Sequence, residues 1–342
     1  MNSISPAQAP TATLADVAKL AGVSVATASK ALNGKPQVKA ETRSRVKAAA
    51  DQLAFLPNAL ARSLHQQRTG TVGLITSDLE GRFSIPVLMG AEDAFGAGSV
   101  SVFLCDARDD AIREKHHVQA LMSRRVDGLI VVGARPDPRE SLGHSLGIPV
   151  VYAYAPSKDG NDASLVVDNH GAGRMAIEHL LACGRTKIAH ITGDPSFGAT
   201  RERAAGAREA LHEHGLDFVS GKPLAGTWGE SWGRGATQIL LSQNHDFDAI
   251  FCGSDQVARG ALDALREAGR RVPEDIAIIG FDNWEVLAAN SRPQLTSIDM
   301  RLETLGRIAA EKLFDILAGQ QIRGVEKLPC KLVYRESTAP LL

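Results

Sequence analysis

From Thr71 onward the chain alternates short apolar runs with helical stretches, and this alternation restricts the possible folds more than any other feature. The apolar runs fall at Val72–Thr76, Val100–Cys105, Gly128–Val132, Val150–Tyr154, Leu165–Val167, Ile188–Thr192, Ala249–Cys252, Ile276–Gly280, Leu295–Ile298 and Lys331–Tyr334. Helical periodicity marks most of the intervals, at 86–96, 111–125, 171–183, 201–214, 231–242, 256–268 and 302–318. Continuous apolar strands alternating with helices predict parallel sheets covered on both faces. Ten strands are many for one such sheet, so the pattern predicts two similar units. Arg125-Val126-Asp127-Gly128-Leu129-Ile130 and Asp246-Phe247-Asp248-Ala249-Ile250-Phe251 read as corresponding points of that repeat.

Open parallel sheets bind ligands at the carboxyl ends of their strands. The residues that follow the apolar runs are therefore candidates: Ser77, Asp78 and Phe83; Tyr152 and Tyr154; Asp194, Phe197, Arg201 and Arg203; Trp228; Ser254 and Asp255; and Asp282, Asn283 and Trp284. Aromatic residues make up only 5% of the chain, yet two of its three tryptophans fall at such ends. Flat aromatic faces with converging Asp, Asn and Arg side chains suit a polyhydroxylated ligand: the ring covers C–H groups and the polar groups hydrogen-bond the hydroxyls.

Ahead of this body, Thr13 to Asn33 reads as two short helices joined by a tight turn. Thr13 is an N-cap residue with Asp16 three positions on, where a carboxylate can reach back to the cap. Val17, Ala18, Leu20 and Ala21 give an apolar face, and Gly22 ends the helix in a left-handed conformation. Ser24 caps a second helix running to about Leu32, closed by Asn33-Gly34. Two helices crossing after a glycine-containing turn form the helix-turn-helix geometry, whose second helix enters the DNA major groove. On that helix Val25 and Ala26 suit thymine methyls, Lys30 suits guanine acceptors or a phosphate, and Ser24, Thr27 and Ser29 suit phosphates. A third helix, 40–54, carries Val46, Ala49, Ala50 and Leu53 inward and Arg43, Arg45 and Lys47 outward.

Charge supports a nucleic-acid partner at this end. Residues 1–70 hold nine Lys/Arg against three Asp/Glu, while the remaining 272 hold 29 against 36, a split of +6 and −7 hidden in a net charge of −1. No basic-then-apolar leader and no run of ~20 apolar residues is present, which predicts a cytoplasmic chain with no membrane partner. Cys105, Cys183, Cys252 and Cys330 are far apart with no metal-ligand spacing, so they are expected as free thiols, with no metal site. No G-x-S-x-G, H-E-x-x-H, Walker loop or G-x-G-x-x-G after the first strand is found, which argues against an enzyme and a catalytic cofactor.

The pattern T-L-x-D-V-A-x-x-A-G-V-S-x-x-T-x-S-x-x-L-N, followed by V-x-x-x-T-R at Val38 to Arg43, resembles the headpiece of the lactose-repressor (LacI/GalR) family. The body resembles that family's effector-binding core, which is related to periplasmic sugar-binding proteins. The resemblance runs from Thr13 to about Ser337. It implies a cytoplasmic, homodimeric repressor whose affinity for double-stranded operator DNA is set by a small-molecule effector, a sugar or sugar derivative. DNA contacts are expected from Thr13, Leu14, Ser24, Val25, Ala26, Thr27, Ser29, Lys30 and Asn33. A hinge helix implied at Asn58 adds Asn58, Ala61 and Leu64, with Leu64 as a minor-groove wedge. The effector is expected to meet Phe83, Tyr154, Arg203, Trp228, Ser254 and Asp282.

The implied division is a disordered tail at 1–12, a helix-turn-helix domain at 13–57, a hinge and linker at 58–70 and a core at 71–342. Within the core, an amino-terminal subdomain spans about 71–167 and 299–327, and a carboxyl-terminal one about 168–298 and 328–342. No leucine heptad tail precedes Leu342, which favours a dimer over a tetramer. The chain departs from the family at Lys30 (often Arg), Lys39 (often Ser or Ala), Ala153 (often Asp) and Ser254 (Asn in some sugar-responsive members). The rival readings are a sugar-binding protein or a sugar-processing enzyme without DNA function.

Overall fold

The computed structural model describes residues 12–32, 37–53, 55, 68–78, 82–96, 100–243 and 245–338. Two compact units divide the chain between Thr69 and Gly70. Expectations for the tail at 1–11, for Asn33 and for Asn58, Ala61 and Leu64 lie outside the described residues.

The first unit contains α1 (Leu14–Leu20), α2 (Val25–Leu32) and α3 (Ala40–Gln52). A reciprocal capping box starts α1: Thr13 Oγ1 accepts from the Asp16 amide at 3.3 Å, and the Thr13 amide donates to Asp16 Oδ2 at 2.8 Å. Gly22 ends it at φ +64°, where a side chain would strain the backbone. The three helices close over Val17, Ala18, Ala21, Ala28, Ala31, Val38, Val46, Ala49 and Ala50. Leu20 is a correction: it is 47% exposed and lies off this core. On the outward side of α3, Arg45 and Lys47 are exposed and Arg43 is half-buried, and both arginines are tethered. Arg45 Nε donates to the Ala21 carbonyl at 3.0 Å, and Arg43 Nη2 to the Val38 carbonyl at 3.4 Å. Lys39 makes no side-chain bond to the start of α3.

The second unit holds two six-stranded sheets. Strands β1 (Thr71–Thr76), β2 (Ser101–Asp106), β3 (Gly128–Val132), β4 (Val150–Ala153), β5 (Ala163–Val167) and β11 (Gly324–Leu328) form the first, in the order β2-β1-β3-β4-β5-β11, all parallel. Strands β6 (Ile188–Thr192), β7 (Leu224–Ala225), β8 (Ala249–Cys252), β9 (Ala277–Phe281), β10 (Thr296–Asp299) and β12 (Lys331–Val333) form the second, in the order β7-β6-β8-β9-β10-β12. Only β12 runs antiparallel there. The shared 2-1-3-4-5 order is the doubly wound pattern. The repeat also appears in side chains. Asp127, just before β3, accepts the Gly70 amide at 2.8 Å, ahead of β1. Asp248, just before β8, accepts the Thr186 and Lys187 amides at 3.0 Å each, ahead of β6. Each aspartate thus ties the start of its own strand to that of the neighbouring first strand of its repeat.

The covering helices are α4 (Ser84–Phe95), α5 (Ala111–Ser123), α6 (Asn169–Ala182), α7 (Gly198–Glu213), α8 (Glu230–Ser242), α9 (Asp255–Glu267), the short α10 (Glu285–Ala288) and α11 (Leu302–Leu317). After β10 the chain returns to the first sheet as α11 and β11, then crosses back as β12. Three helix pairs cross backbone to backbone on reciprocal glycines. A Cβ on Gly90 of α4 would lie 1.8 Å from the Glu303 carbonyl, and one on Gly306 of α11 would lie 1.9 Å from that of Val87. Gly173 and Gly206 do the same for α6 and α7, at 2.1 and 2.0 Å, and Gly233 and Gly260 for α8 and α9, at 2.1 and 1.9 Å. Overpacking a rigid contact costs about 1–3 kcal/mol, so Gly233→Ala should lower stability by that much. Gly235, on the same helix, has open space at its Cβ position. Gly235→Ala should therefore raise stability by roughly 0.5–1 kcal/mol. Thermal unfolding of the two variants would give shifts of opposite sign; equal shifts would mean the crossing is not tight.

Candidate functional site

Helix α2 turns Ala28 and Ala31 into the three-helix core and leaves Val25, Ala26 and Lys30 exposed on the other side. Val25 is 49% exposed at the first position of the helix. Ser24 Oγ accepts the Thr27 amide at 3.1 Å and lies 2.9 Å from Thr27 Oγ1, so both hydroxyls order the start of α2. Thr13 is likewise engaged in its capping box, and Leu14 packs against the core. Ser29 is half-buried. The exposed Leu20 adds an apolar side chain that the sequence reading had placed inside.

In the second unit, a cavity of about 130 Å³ is lined by Arg82, Phe83, Ala134, Pro136, Tyr154, Phe197, Ala199, Arg203, Trp228 and Asp282. All lie beyond the carboxyl ends of strands: β1, β3 and β4 of the first sheet and β6, β7 and β9 of the second. Five expected residues, Phe83, Tyr154, Arg203, Trp228 and Asp282, meet there. Phe83 stacks on Tyr154 with centroids 5.3 Å apart, and Phe197 meets Trp228 edge-on at 5.7 Å. The Trp228 ring presses on the backbone after β6, where a Cβ on Gly193 would lie 2.2 Å from it. Burial pushes the Tyr154 phenol well above its usual range, so it stays neutral.

Arg203 is 3% exposed. Its Nε donates to Asn169 Oδ1 at 2.9 Å and its Nη1 to the Gly253 carbonyl at 2.7 Å, while the guanidinium lies 3.3 Å over the Phe281 ring. Its position is set by the tight α6–α7 crossing, since Gly173 faces the Arg203 carbonyl. Asp282 faces it with a side chain only 4% exposed, and Arg82 Nη2 lies 3.1 Å from Asp282 Oδ2. That pair is close but poorly aligned, so Oδ2 is buried without a hydrogen bond. Burial raises the Asp282 carboxyl, and Arg82 and Arg203 pull it back down. Tyr154 and Asp282 hold φ of +71° and +99°, unusual for residues with side chains. Backbone strain of this kind clusters at ligand sites.

Ser254 is a correction. It is buried, accepts the Val257 amide at 3.2 Å as the cap of α9, and does not line the cavity. Arg82 was missed, and Phe197, one of the residues that follow β6, was not singled out as a site residue. Arg82 adjoins Phe83, but its partner Asp282 is 200 positions away in sequence. On the rim, Asp137 Oδ1 accepts the Gly198 amide at 2.9 Å and Arg201 Nη2 at 3.2 Å, tying the loop after β3 to the start of α7. Among the described residues, no group of His, Cys, Asp and Glu could hold a metal ion, and no helix is long and apolar enough to cross a membrane.

Comparison with known proteins bears on both sites. Residues 13–58 match the profile of bacterial regulatory proteins of the lacI family, and residues 177–338 match a periplasmic binding protein-like domain. The HTH-type transcriptional regulator CelR of Thermobifida fusca is 34% identical over 334 residues, covering 95% of this chain and 98% of the relative. The lac repressor dimer bound to operator and the anti-inducer ONPF superposes with a TM-score of 0.77 at 28% identity, over 97% of this chain and 100% of that one. A CelR–cellobiose complex gives 0.66 at 31% identity, over 95% and 99%.

Proposed function

The chain belongs to the lacI family of bacterial regulatory proteins, and from that premise we propose how its two sites divide the work of a transcriptional repressor. It is a DNA-binding regulator and not an enzyme. The exposed face of α2 (Val25, Ala26 and Lys30) reads operator bases, with Thr13, Ser24, Thr27 and Ser29 near phosphates. The chain acts in the cytoplasm as a homodimer, because one helix-turn-helix reads one half-site and two-fold protein symmetry matches two-fold DNA symmetry. The division of labour follows the expected boundaries: a reading domain at 13–57, a linker at 58–70 and a core from 71 whose two subdomains enclose the effector.

The effector is a sugar or sugar derivative, as cellobiose is the ligand in the CelR complex. It is held against Trp228 by Asp282 and Arg203, with Phe83 and Tyr154 opposite. One observation carries this reading: a buried carboxylate oxygen of Asp282 has no hydrogen bond and faces an aromatic-walled cavity. A ligand hydroxyl would satisfy it, and charge-assisted hydrogen bonds of this kind are strong. The ligand changes operator affinity to the extent that it binds the DNA-competent and DNA-released states differently, and operator DNA must change ligand affinity by the same factor.

The test begins with selection of an operator from random duplexes, followed by fluorescence anisotropy with and without sugars. Lys30→Ala should weaken operator binding about tenfold. If Lys30 reads a base, preference at one position relaxes; if it meets a phosphate, the slope of log K against log salt falls by about 1. Val25→Ala should alter preference at a thymine with little change in that slope. Unchanged affinity and preference in both variants would remove α2 from the interface.

A further inference from the structure

Beside the aromatic cavity lies a larger one of about 530 Å³. Both have Arg82, Phe83 and Asp282 in their walls, so the two adjoin, as an inner and an outer compartment, at the Arg82–Asp282 ion pair. The inner compartment alone falls below the ~300 Å³ at which ordinary ligand pockets begin, whereas the two together lie well within the usual range.

Trp284 stands in the wall of the outer compartment. It belongs to none of the three apolar clusters of this unit among the described residues, so core packing does not explain it. The backbone leading to it is nevertheless held firmly. Asp282 and Asn283 are consecutive residues with φ of +99° and +49°. The Asn283 amide donates to Ser297 Oγ at 3.0 Å, Asn283 Oδ1 accepts from Arg335 at 2.8 Å, and the Trp284 amide donates to Asp255 Oδ2 at 2.7 Å. A half-buried indole is thus fixed at a cavity wall, with the Arg82 guanidinium 5.1 Å from its ring centroid. Charge in this compartment is nearly balanced: Glu285, Asp299 and Glu303 line it beside Arg301 and Lys331. Such a lining offers donors and acceptors to hydroxyls, while its carboxylates oppose a phosphate or a sugar acid.

We propose that the effector is a neutral saccharide of at least two rings, with its inner ring on Trp228 and its next ring on Trp284 in the outer compartment. This rests on reading the inner cavity as a sugar site. The Arg82–Asp282 pair would lie beside the glycosidic linkage, and Trp284 would select for length.

Calorimetry on the full chain, with glucose, galactose and mannose against their α- and β-linked disaccharides and trisaccharides, tests this. At least one disaccharide should bind ten times or more tighter than its monosaccharide. Trp284→Ala should weaken that disaccharide at least tenfold while leaving the monosaccharide within twofold, and Trp284→Phe should keep most of the gain. Equal affinity for monosaccharide and disaccharide in the wild type would overturn the proposal, with the inner sugar site intact. So would equal losses for both ligands, or no loss, in Trp284→Ala. If that variant does not fold, the wild-type length preference and Trp284→Phe decide. Binding of no saccharide of any length would overturn the sugar reading of the inner cavity as well.

Discussion

Arg203→Ala should lower the melting temperature of the core by roughly 10 °C and abolish the ligand response, while the purified variant still binds operator in the cold. The side chain is buried and holds two acceptors, Asn169 Oδ1 and the Gly253 carbonyl. Truncation leaves both unmet in a new cavity and removes one of the two cations that offset the buried Asp282. Removing one member of a buried charged set costs about 3–5 kcal/mol, and each kcal/mol is worth about 2–4 °C in a unit of this size. Ligand affinity should fall more than a hundredfold, since the same guanidinium faces the cavity. Arg203→Lys should not rescue it: an ammonium cannot serve both acceptors in one plane while lying flat on Phe281. Differential scanning fluorimetry with the saccharide that stabilises the wild type reads both effects. A variant that melts lower but keeps the full ligand-induced shift would make Arg203 a purely structural residue.

How far these sites could be read from the sequence depended on whether the signal was local. Strands buried on both faces appear as unbroken apolar runs, so β3, β6 and β8 were plain. The edge strand β11, Gly324–Leu328, was missed because Glu326 and Lys327 point to solvent and break the run. The two-residue β7 and four-residue α10 are too short to show a period. The predicted β4 continued to Tyr154, but Tyr154 leaves the strand in a left-handed conformation that carries its ring to the cavity. Leu20 matched the helical stripe of α1, yet three short helices bury only a narrow face, and it fell outside. At the cleft, Trp228 and Asp282 were visible because strand ends in parallel sheets are where ligands go. Arg82 and Ser254 were misjudged for opposite reasons. The value of Arg82 lies in a partner on the other sheet, which no local pattern records. Ser254 stands at a strand end but also at a helix start, and its hydroxyl serves the cap.

The second large effect concerns Asp255, where Asp255→Asn should make the protein progressively more stable than wild type as pH rises from about 4 to 8. Asp255 is completely buried beside the cleft, next to Asp282 and within the field of Arg82. Burial pushes its carboxyl up to about 8, aided by repulsion from Asp282; the Ser297 hydroxyl, the Trp284 amide and Arg82 only partly counter this. The unfolded chain gives up this proton near the ordinary carboxyl value of 3.8, and the folded chain keeps it to about 8. Between those values the native state binds more protons than the unfolded state, so stability falls as pH rises, by about 1.4 kcal/mol per unit, and levels off above the folded value. Asparagine fills the same space without a titrating proton. Its carbonyl can accept the Trp284 amide, and its amide can donate to Ser297 Oγ, in place of the bonds at 2.7 and 2.6 Å. Other groups that titrate in this window, such as His179, whose burial lowers its value, are common to both proteins and cancel in the difference. Urea unfolding at pH 5.5 and 8.0 should therefore show the variant gaining on the order of 3 kcal/mol over wild type between the two. Parallel profiles would mean that Asp255 is ionised in the folded chain across the whole range. A second buried negative charge would then stand beside Asp282, behind the wall of the cleft.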